Sequence, residues 1–393
     1  VRHPEQHIFE HTPESLAQWC EARGLPAYRA GQVLRWVYER GVADPLAMTD
    51  LPRSLRDRLA EEFAFLSGPT VAHQVASDGT QKLLIEWAER GASQAHADVD
   101  HATRLPLLAD DGSPGAMPYG RGRTECVMIP SLPRRSGAGG RARRTACVSS
   151  QLGCPVGCRF CASGLGGLEG NLSGGRIVEQ VWRLGRLEGV GSISHVVFMG
   201  MGEPLANFRA VTHAVRTLSA SWGLGISGRR ITISTVGLPA AIERLARELD
   251  VPVTLALSLH APTDELRRQL IPWAQHATIE QLLAATGTWF DKTGREITLE
   301  YTLLGGVNDR PEHARLLADL ARGMRASVNL IRYNEVDATP YRRPRAEDVH
   351  AFQRVLVGAG VRAPIRASRG RDIAAACGQL AYEVAAGAGR AAP

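Results

Sequence analysis

Three cysteines fall close together, Cys154, Cys158 and Cys161, in the run QLGCPVGCRFCASG. Their spacing is C-x3-C-x2-C. Thiolates at this density select iron–sulfur clusters, zinc or Cu(I). Four thiolates close such a site, whereas three leave one metal position open for chemistry. A zinc ribbon would add a second CxxC pair, and the chain has none. Gly153, Pro155 and Gly157 supply tight turns for a loop wrapped round three corners of a cubane, and Phe160 could shield it from water. A [4Fe-4S] cluster is therefore expected, with zinc or structural thiols as the plainer alternative. Its fourth iron must bind something from outside the chain.

The elements that must position these thiols follow from periodicity. From Thr145 onward, apolar strand candidates (TACVSS, SHVVFMG, RRITISTV, VTLALSLH, EITLEYTLL, VNLIRYN, APIRAS) alternate with helical stretches such as GGRIVEQVWRLGRL and PEHARLLADLAR. That alternation predicts a parallel sheet covered on both faces. Six or seven repeats predict a full or partial (β/α) barrel, in which functional residues gather at the C-terminal strand ends. The cysteine loop follows TACVSS. Gly202-Glu203-Pro204 follows VVFMG, Ser234 lies near the end of RRITISTV, Ser258 and His260 end VTLALSLH, and Asn334 ends VNLIRYN. Taken singly these residues are weak signals. A GEP run is often a strand-to-helix turn, a strand-end serine often caps a helix, and a single histidine often packs in a core.

The remainder of the chain reads less sharply. Its 393 residues allow two or three domains. Residues 1–72 read as a small helical module, 73–145 as a strand-containing linker with insertions at about 90–122 and 131–144, and 146–393 as the barrel. Arg29, Arg35, Arg53, Arg56 and Arg58 decorate the helical module. Arg134, Arg135, Arg141, Arg143 and Arg144 lie in the Gly-rich second insertion. The net charge is +6, and Lys82 and Lys292 are the lysines. Arginine pairs bidentately with phosphate, so a polyanionic partner fits; a GC-rich genome or a solvated helix face explains the same composition. No apolar run is long enough to span a membrane. The start, VRHPEQHIFEHTPE, is polar and mixed in charge, and the clustered thiols suit a reducing compartment. A cytoplasmic protein with no membrane partner is expected.

The runs ACVSSQLGCPVGCRFCASG, FMGMGEPLANF, SLHAPTDELRRQLIP and DIAAACGQL resemble the RlmN family of radical S-adenosylmethionine (SAM) enzymes, the adenine C2-methyltransferases of ribosomal and transfer RNA. LPAYRAGQVLRWVYERGVADPLAMTDLP resembles that family's accessory domain. The resemblance covers nearly the whole chain outside the two insertions. It implies a partial (β/α) radical SAM barrel behind a small N-terminal helical RNA-binding domain. It implies a cluster held by Cys154, Cys158 and Cys161, whose open iron binds SAM. Gly202, Glu203, Ser234, Ser258, Leu259, His260 and Asn334 would hold SAM. The implied partners are 23S rRNA, tRNA and an electron donor such as flavodoxin or ferredoxin, with the enzyme itself a monomer.

The resemblance also gives roles to three further residues. Cys377 would accept a methyl group from one SAM. A second SAM would supply a 5′-deoxyadenosyl radical that takes hydrogen from the S-methyl group, and the resulting carbon radical would add to adenine C2. Glu125 would accept the C2 proton. Cys147 would then attack the Cys377 sulfur, forming a disulfide and freeing the product. Without the resemblance, Cys377 reads as a small buried hydrophobe and Glu125 as an exposed strand carboxylate. Cys20 and Cys126 receive no role. The family often has an acidic residue at the place of Ala374. A Cfr-like enzyme, methylating C8 of the same base with the same parts, is the rival reading, although Pro204 in GEPL leans toward C2.

Overall fold

The computed structural model describes residues 6–87, 122–131 and 143–380. Most of the two insertions, with Arg134, Arg135 and Arg141, lies outside these residues.

Three helices open the chain: α1 (Pro13–Glu21), α2 (Arg29–Tyr38) and α3 (Arg53–Glu62). Thr12 and Ser15 form a reciprocal cap at the start of α1, satisfying donors that would otherwise be orphaned. Val33, Leu34 and Val37 of α2 and Leu55 and Leu59 of α3 are buried at helical spacing. Arg35, Arg53 and Arg58 point to solvent, while Arg29 and Arg56 are half-buried.

Strands β1 (Thr70–Val75), β2 (Gln81–Glu86) and β3 (Arg123–Pro130) follow, then β4 (Arg144–Cys147). Strand β5 (Gln151–Gly153) pairs antiparallel with β6 (Leu168–Asn171), bracketing the cysteine loop and the short helix α4 (Ala162–Leu165). Helix α5 (Gly174–Leu184) leads to β7 (His195–Phe198), α6 (Phe208–Ser219) to β8 (Ile231–Thr235), and α7 (Pro239–Glu248) to β9 (Thr254–Ser258). Helices α8 (Asp264–Leu270) and α9 (Ile279–Thr293) precede β10 (Ile297–Leu303). Helix α10 (Pro311–Arg322) precedes β11 (Ala326–Arg332), and α11 (Ala346–Gly358) precedes β12 (Ile365–Arg366).

The main sheet runs β1-β2-β3-β4-β7-β8-β9-β10-β11-β12. From β4 to β12 every pairing is parallel. This is a partial barrel, as the βα alternation predicts. Strands β1 to β4 are antiparallel. Pairing of β3 with β4 crosses the boundary expected at residue 145, so the segment expected as a linker contributes three strands to the sheet.

Register then aligns residues far apart in sequence. Lys82 lies opposite Val127, Val127 opposite Cys147, and Cys147 opposite Val197. Directly opposed residues share a sheet face. Leu84 lies opposite Glu125, so Glu125 is the diagonal neighbour of Lys82 on that same face.

The helical module packs on α5 through one continuous apolar core that includes Phe9, Val37, Val178 and Trp182. Trp182 Nε1 donates to Val37 O at 2.8 Å. Glu179 is the polar hinge pin. Its carboxylate accepts from Ser67 N–H at 3.1 Å and from Ser67 Oγ at 2.7 Å. It also pairs with His7 at 3.0 Å and Arg183 at 2.5 Å. Burial alone would raise its pKa, but the His7, Arg183 and Ser67 contacts outweigh it and hold the carboxyl below its ordinary value. Glu179→Ala removes the carboxylate from the buried His7 ring and the Ser67 N–H, and should destabilise the fold by about 3 kcal/mol. A drop in urea midpoint at unchanged m would show it; an unmoved midpoint would contradict this role.

Candidate active site

Cys154, Cys158 and Cys161 leave the top of β5 together. Gly153 has φ +71°, and a Cβ there would lie 2.0 Å from Gly167 O. Only glycine fits that turn. The next amide, Cys154 N–H, donates to the same Gly167 carbonyl at 2.8 Å. All three thiols line one cavity, which Gly202, Glu203, Ser234, Ser258, His260 and Thr302 also line. Burial pushes the Cys154 thiol up to about 12, and Cys158 and Cys161 also upward. Arg267 acts against this on Cys158.

That donor set fits an iron–sulfur cluster. Arg267 is fully buried. Its Nε and Nη2 donate to Leu259 O and Val236 O at 3.2 and 2.6 Å. Its Nη1 has no partner among the described residues. A buried guanidinium with a spare donor beside Cys158 suits an anionic group on the thiolates. Among the described residues, no three His, Cys, Asp or Glu side chains close on a point as a single metal ion requires. A cubane asks for something different, since each thiolate reaches a separate iron.

The cavity wall beyond the thiols is built from strand ends. Gly202 has φ +107°, and a Cβ would meet Ser150 Oγ and Gln151 Cβ at 2.7 Å. Glu203 beside it is buried, and both its oxygens cap backbone: Oε1 accepts from Leu205 N–H at 3.0 Å and Oε2 from Val236 N–H at 2.7 Å. The strand-to-helix turn and the cavity-lining carboxylate are thus one residue. Burial raises its pKa to about 7 despite those hydrogen bonds. Ser234 Oγ and Ser258 Oγ meet at 3.2 Å, bringing two adjacent strand ends together.

His260 sits in the left-handed region at φ 57°. Its Nδ1 accepts from Thr302 N–H at 3.0 Å, and its ring meets Phe160 edge-on at 5.2 Å. Burial, with Arg267 adding to it, drives its pKa down to about 3, so the ring is neutral. Leu259 is fully buried behind the wall and does not line the cavity.

A second cavity adjoins the first. It is lined by Cys147, Cys377, Asn334, Met199, Arg366 and neighbours. Cys377 lines both cavities. Asn334 belongs to the second: its Nδ2 donates to Cys377 O at 3.3 Å. Both cysteines are free thiols. Burial, then the nearby Cys377, pushes Cys147 up to about 12. Arg366 stands beside both sulfurs and Glu300, and the pKa of the Arg366 guanidinium is raised, chiefly by Cys377, against the effect of burial. No sequence pattern singled out Arg366 or Arg267. The available signal was a charged residue in an apolar strand or in the run after SLH.

Glu125 is not an exposed strand carboxylate. It is 1% exposed and pairs with Lys82 at 2.9 Å. It shares the Cys147 face of the sheet but lines neither cavity. Cys20 and Cys126 are buried in the apolar core.

Comparison with known proteins agrees with this arrangement. The sequence profile of the radical SAM superfamily matches residues 148–318, and the barrel with its three-thiol loop is that of a radical SAM enzyme. The profile of the ribosomal RNA large subunit methyltransferase N-terminal domain matches residues 6–64. The probable dual-specificity RNA methyltransferase RlmN of Rhodopirellula baltica is 42% identical, over 96% of this chain and 91% of its own. The dual-specificity RNA methyltransferase RlmN of Sorangium cellulosum is 40% identical, over 97% and 96%. The crystal structure of a radical SAM methyltransferase from Sphaerobacter thermophilus superposes with a TM-score of 0.82 at 38% identity, covering 95% of this chain and 99% of that one. The chain belongs to the RlmN family of RNA methyltransferases.

The raised pKa of Glu203 predicts a pH dependence. Its ordinary value is 4.5 and its folded value about 7. Folding therefore favours the protonated form. That contribution is full below about 4.5 and is lost as pH rises through about 7, a swing of about 3 kcal/mol. Urea midpoints of cluster-free protein should fall from pH 4.5 to 8 more steeply for wild type than for Glu203→Gln. Parallel curves would refute the assignment.

Proposed function

We propose that this chain methylates C2 of adenosine in 23S rRNA and tRNA through a methyl group carried on Cys377. One observation carries the reading: Cys377 lines both the cavity of the thiol triad and the cavity of Cys147. A sulfur that collects a methyl group on one side and delivers it on the other needs that position. When bound, the [4Fe-4S] cluster and two SAM molecules per turnover supply the methyl group and a 5′-deoxyadenosyl radical.

The chain's own residues do the rest. Cys154, Cys158 and Cys161 hold the cluster. Glu203, Gly202, Ser234 and Ser258 line the same cavity, where a carboxylate and hydroxyls suit an amine and a ribose. His260, neutral and buried, shapes that wall. Asn334 fixes the Cys377 backbone from the far side. Cys377 Sγ takes the methyl, gives up one of its hydrogens, and its carbon bonds to C2. Glu125 takes the C2 proton, and the ring gives up the one unpaired electron left by the addition, which the cluster, when bound, would accept. Cys147 Sγ then bonds to Cys377 Sγ as the carbon–sulfur bond breaks. The carbon keeps that electron pair and takes a proton as the new methyl. An external electron donor of the flavodoxin or ferredoxin kind supplies the reducing equivalents, and reduction of the disulfide returns both thiols.

Substrate access has a plausible chemistry of its own. A third cavity shares Ile129, Met199, Arg366 and Arg369 with the Cys147 cavity, and adds Arg143 and Arg362. Four guanidiniums suit phosphate, and an adenine extruded from folded RNA would reach Cys377 past them. No helix among the described residues is long and apolar enough to cross a membrane.

Two measurements test the reading. Anaerobic protein incubated with separate rRNA and tRNA pools, SAM and reductant should yield 2-methyladenosine in nucleoside digests. Finding 8-methyladenosine alone would move the chain to the rival chemistry. Cys147→Ala should trap a covalent RNA adduct through Cys377 on denaturing gels and cut product at least a hundredfold. Normal product release would remove the disulfide step.

A further inference from the structure

The chain carries lysine at two positions, and one of them, Lys82, is 3% exposed. Its ammonium lies 2.9 Å from Glu125 Oε1 and donates to Ala374 O at 3.4 Å. Those partners come from separate parts of the chain. Glu125 is on β3, on the Cys147 face of the sheet. Ala374 precedes Cys377 in the same loop. An ammonium carries three donors and can reach a carboxylate and a carbonyl at once.

The loop it touches is strained and strapped. Ala374 takes the left-handed conformation at φ 46°, which side chains other than glycine rarely adopt. The β1–β2 turn grips the same loop: Ser77 N–H donates to Asp372 Oδ2 at 2.8 Å, and Gly370 N–H to Asp78 Oδ2 at 3.1 Å. A buried carboxylate with no cation beside it takes up a proton, and a neutral acid cannot accept another.

We propose that Lys82 is a positioning residue that joins the proton acceptor Glu125 to the loop carrying Cys377, keeping the first ionised and the second in register with it. This inference rests on the function proposed above. Lys82 touches neither the cavity of the thiol triad nor that of Cys147. It therefore acts on the step in which the C2 proton moves to the Glu125 carboxylate, and not on methylation of Cys377.

The test uses the full cluster-loaded chain with SAM, reductant and an rRNA pool. Three quantities are read: the S-methyl group on Cys377 by intact-protein mass spectrometry, covalent RNA adduct on denaturing gels, and released methyladenosine. Lys82→Met should carry the Cys377 methyl to the wild-type extent, accumulate adduct, and release product at least tenfold more slowly. Lys82→Arg, which keeps the charge, should recover most of that loss. Wild-type release by Lys82→Met overturns the proposal. So does loss of Cys377 methylation in step with product, because that marks a general folding role. The double variant Lys82→Met/Glu125→Gln buries no unpaired charge and provides the check if Lys82→Met folds poorly. Its adduct-to-product ratio should equal that of Glu125→Gln, and a further multiplicative loss overturns the coupling. Glu125→Gln alone separates the two failures. If it does not stall at the adduct, the proton-acceptor reading falls and takes this inference with it. If it stalls and Lys82→Met does not, only the inference falls.

Discussion

One sulfur has to face two chambers, and most of the architecture can be traced to that constraint. Cys377 lies on a loop after the last barrel strand, where nothing in the βα repeat fixes it. The loop is held instead from outside. Ala162 N–H donates to Gly378 O at 2.8 Å, and Ser163 Oγ to Leu380 O at 3.1 Å, tying it to the cysteine loop. Asn334 holds the Cys377 carbonyl from β11. Asp78 and Lys82 hold residues 370–374 from the antiparallel strands. Each strap is a modest hydrogen bond of about 1 kcal/mol, but several together fix a loop that contains left-handed backbone.

The antiparallel strands therefore do more than lengthen the sheet. Registry through β2, β3 and β4 sets Lys82, Val127 and Cys147 in a row and puts Glu125 one step along the same face. A slip of one residue in any of those pairings would turn Glu125 into the opposite core. Alternation along β3 guards against this: Cys126 and Met128 join the main core, while Val127 joins the small cluster with Cys147, Ala375 and Leu380. Apolar packing on both faces thus fixes where Glu125 and Lys82 stand.

How much of this was legible depended on how local the cause was. The thiol triad reads directly, because its three thiols lie within one short loop. The strand-end residues read through the barrel repeat, since the C-terminal rim is a property of the fold. Glu203, Ser234, Ser258 and His260 do line one cavity. Asn334 obeys the same strand-end rule yet faces the second cavity, because its amide is drawn to the Cys377 carbonyl. Lys82 was invisible as anything but a lysine in a strand: its contacts with Glu125 and Ala374 exist only after two strands pair and a loop folds back. Glu125 reads alone as exposed because alternation expects one wet face. The returning Cys377 loop makes that face dry.

Burial also explains where the sulfurs can react. It raises Cys147 and every thiol of the triad, and so disfavours the thiolate that metal binding and disulfide chemistry require. Two guanidiniums oppose it at chosen points. Arg267 lies against Cys158, and Arg366 against Cys147 and Cys377. In so dry an environment a nearby cation counts for far more than it would in water. Cys126, equally buried on the core face of β3, lines neither cavity, and its thiol is pushed up by burial as well, with Arg183 opposing. At Cys154 and Cys161 the opposition comes instead from neighbouring hydrogen-bond donors, Gly202 N–H on the first and Ser163 on the second. What separates Cys126 from the triad and from Cys147 is its place on the core side of the sheet, away from either chamber.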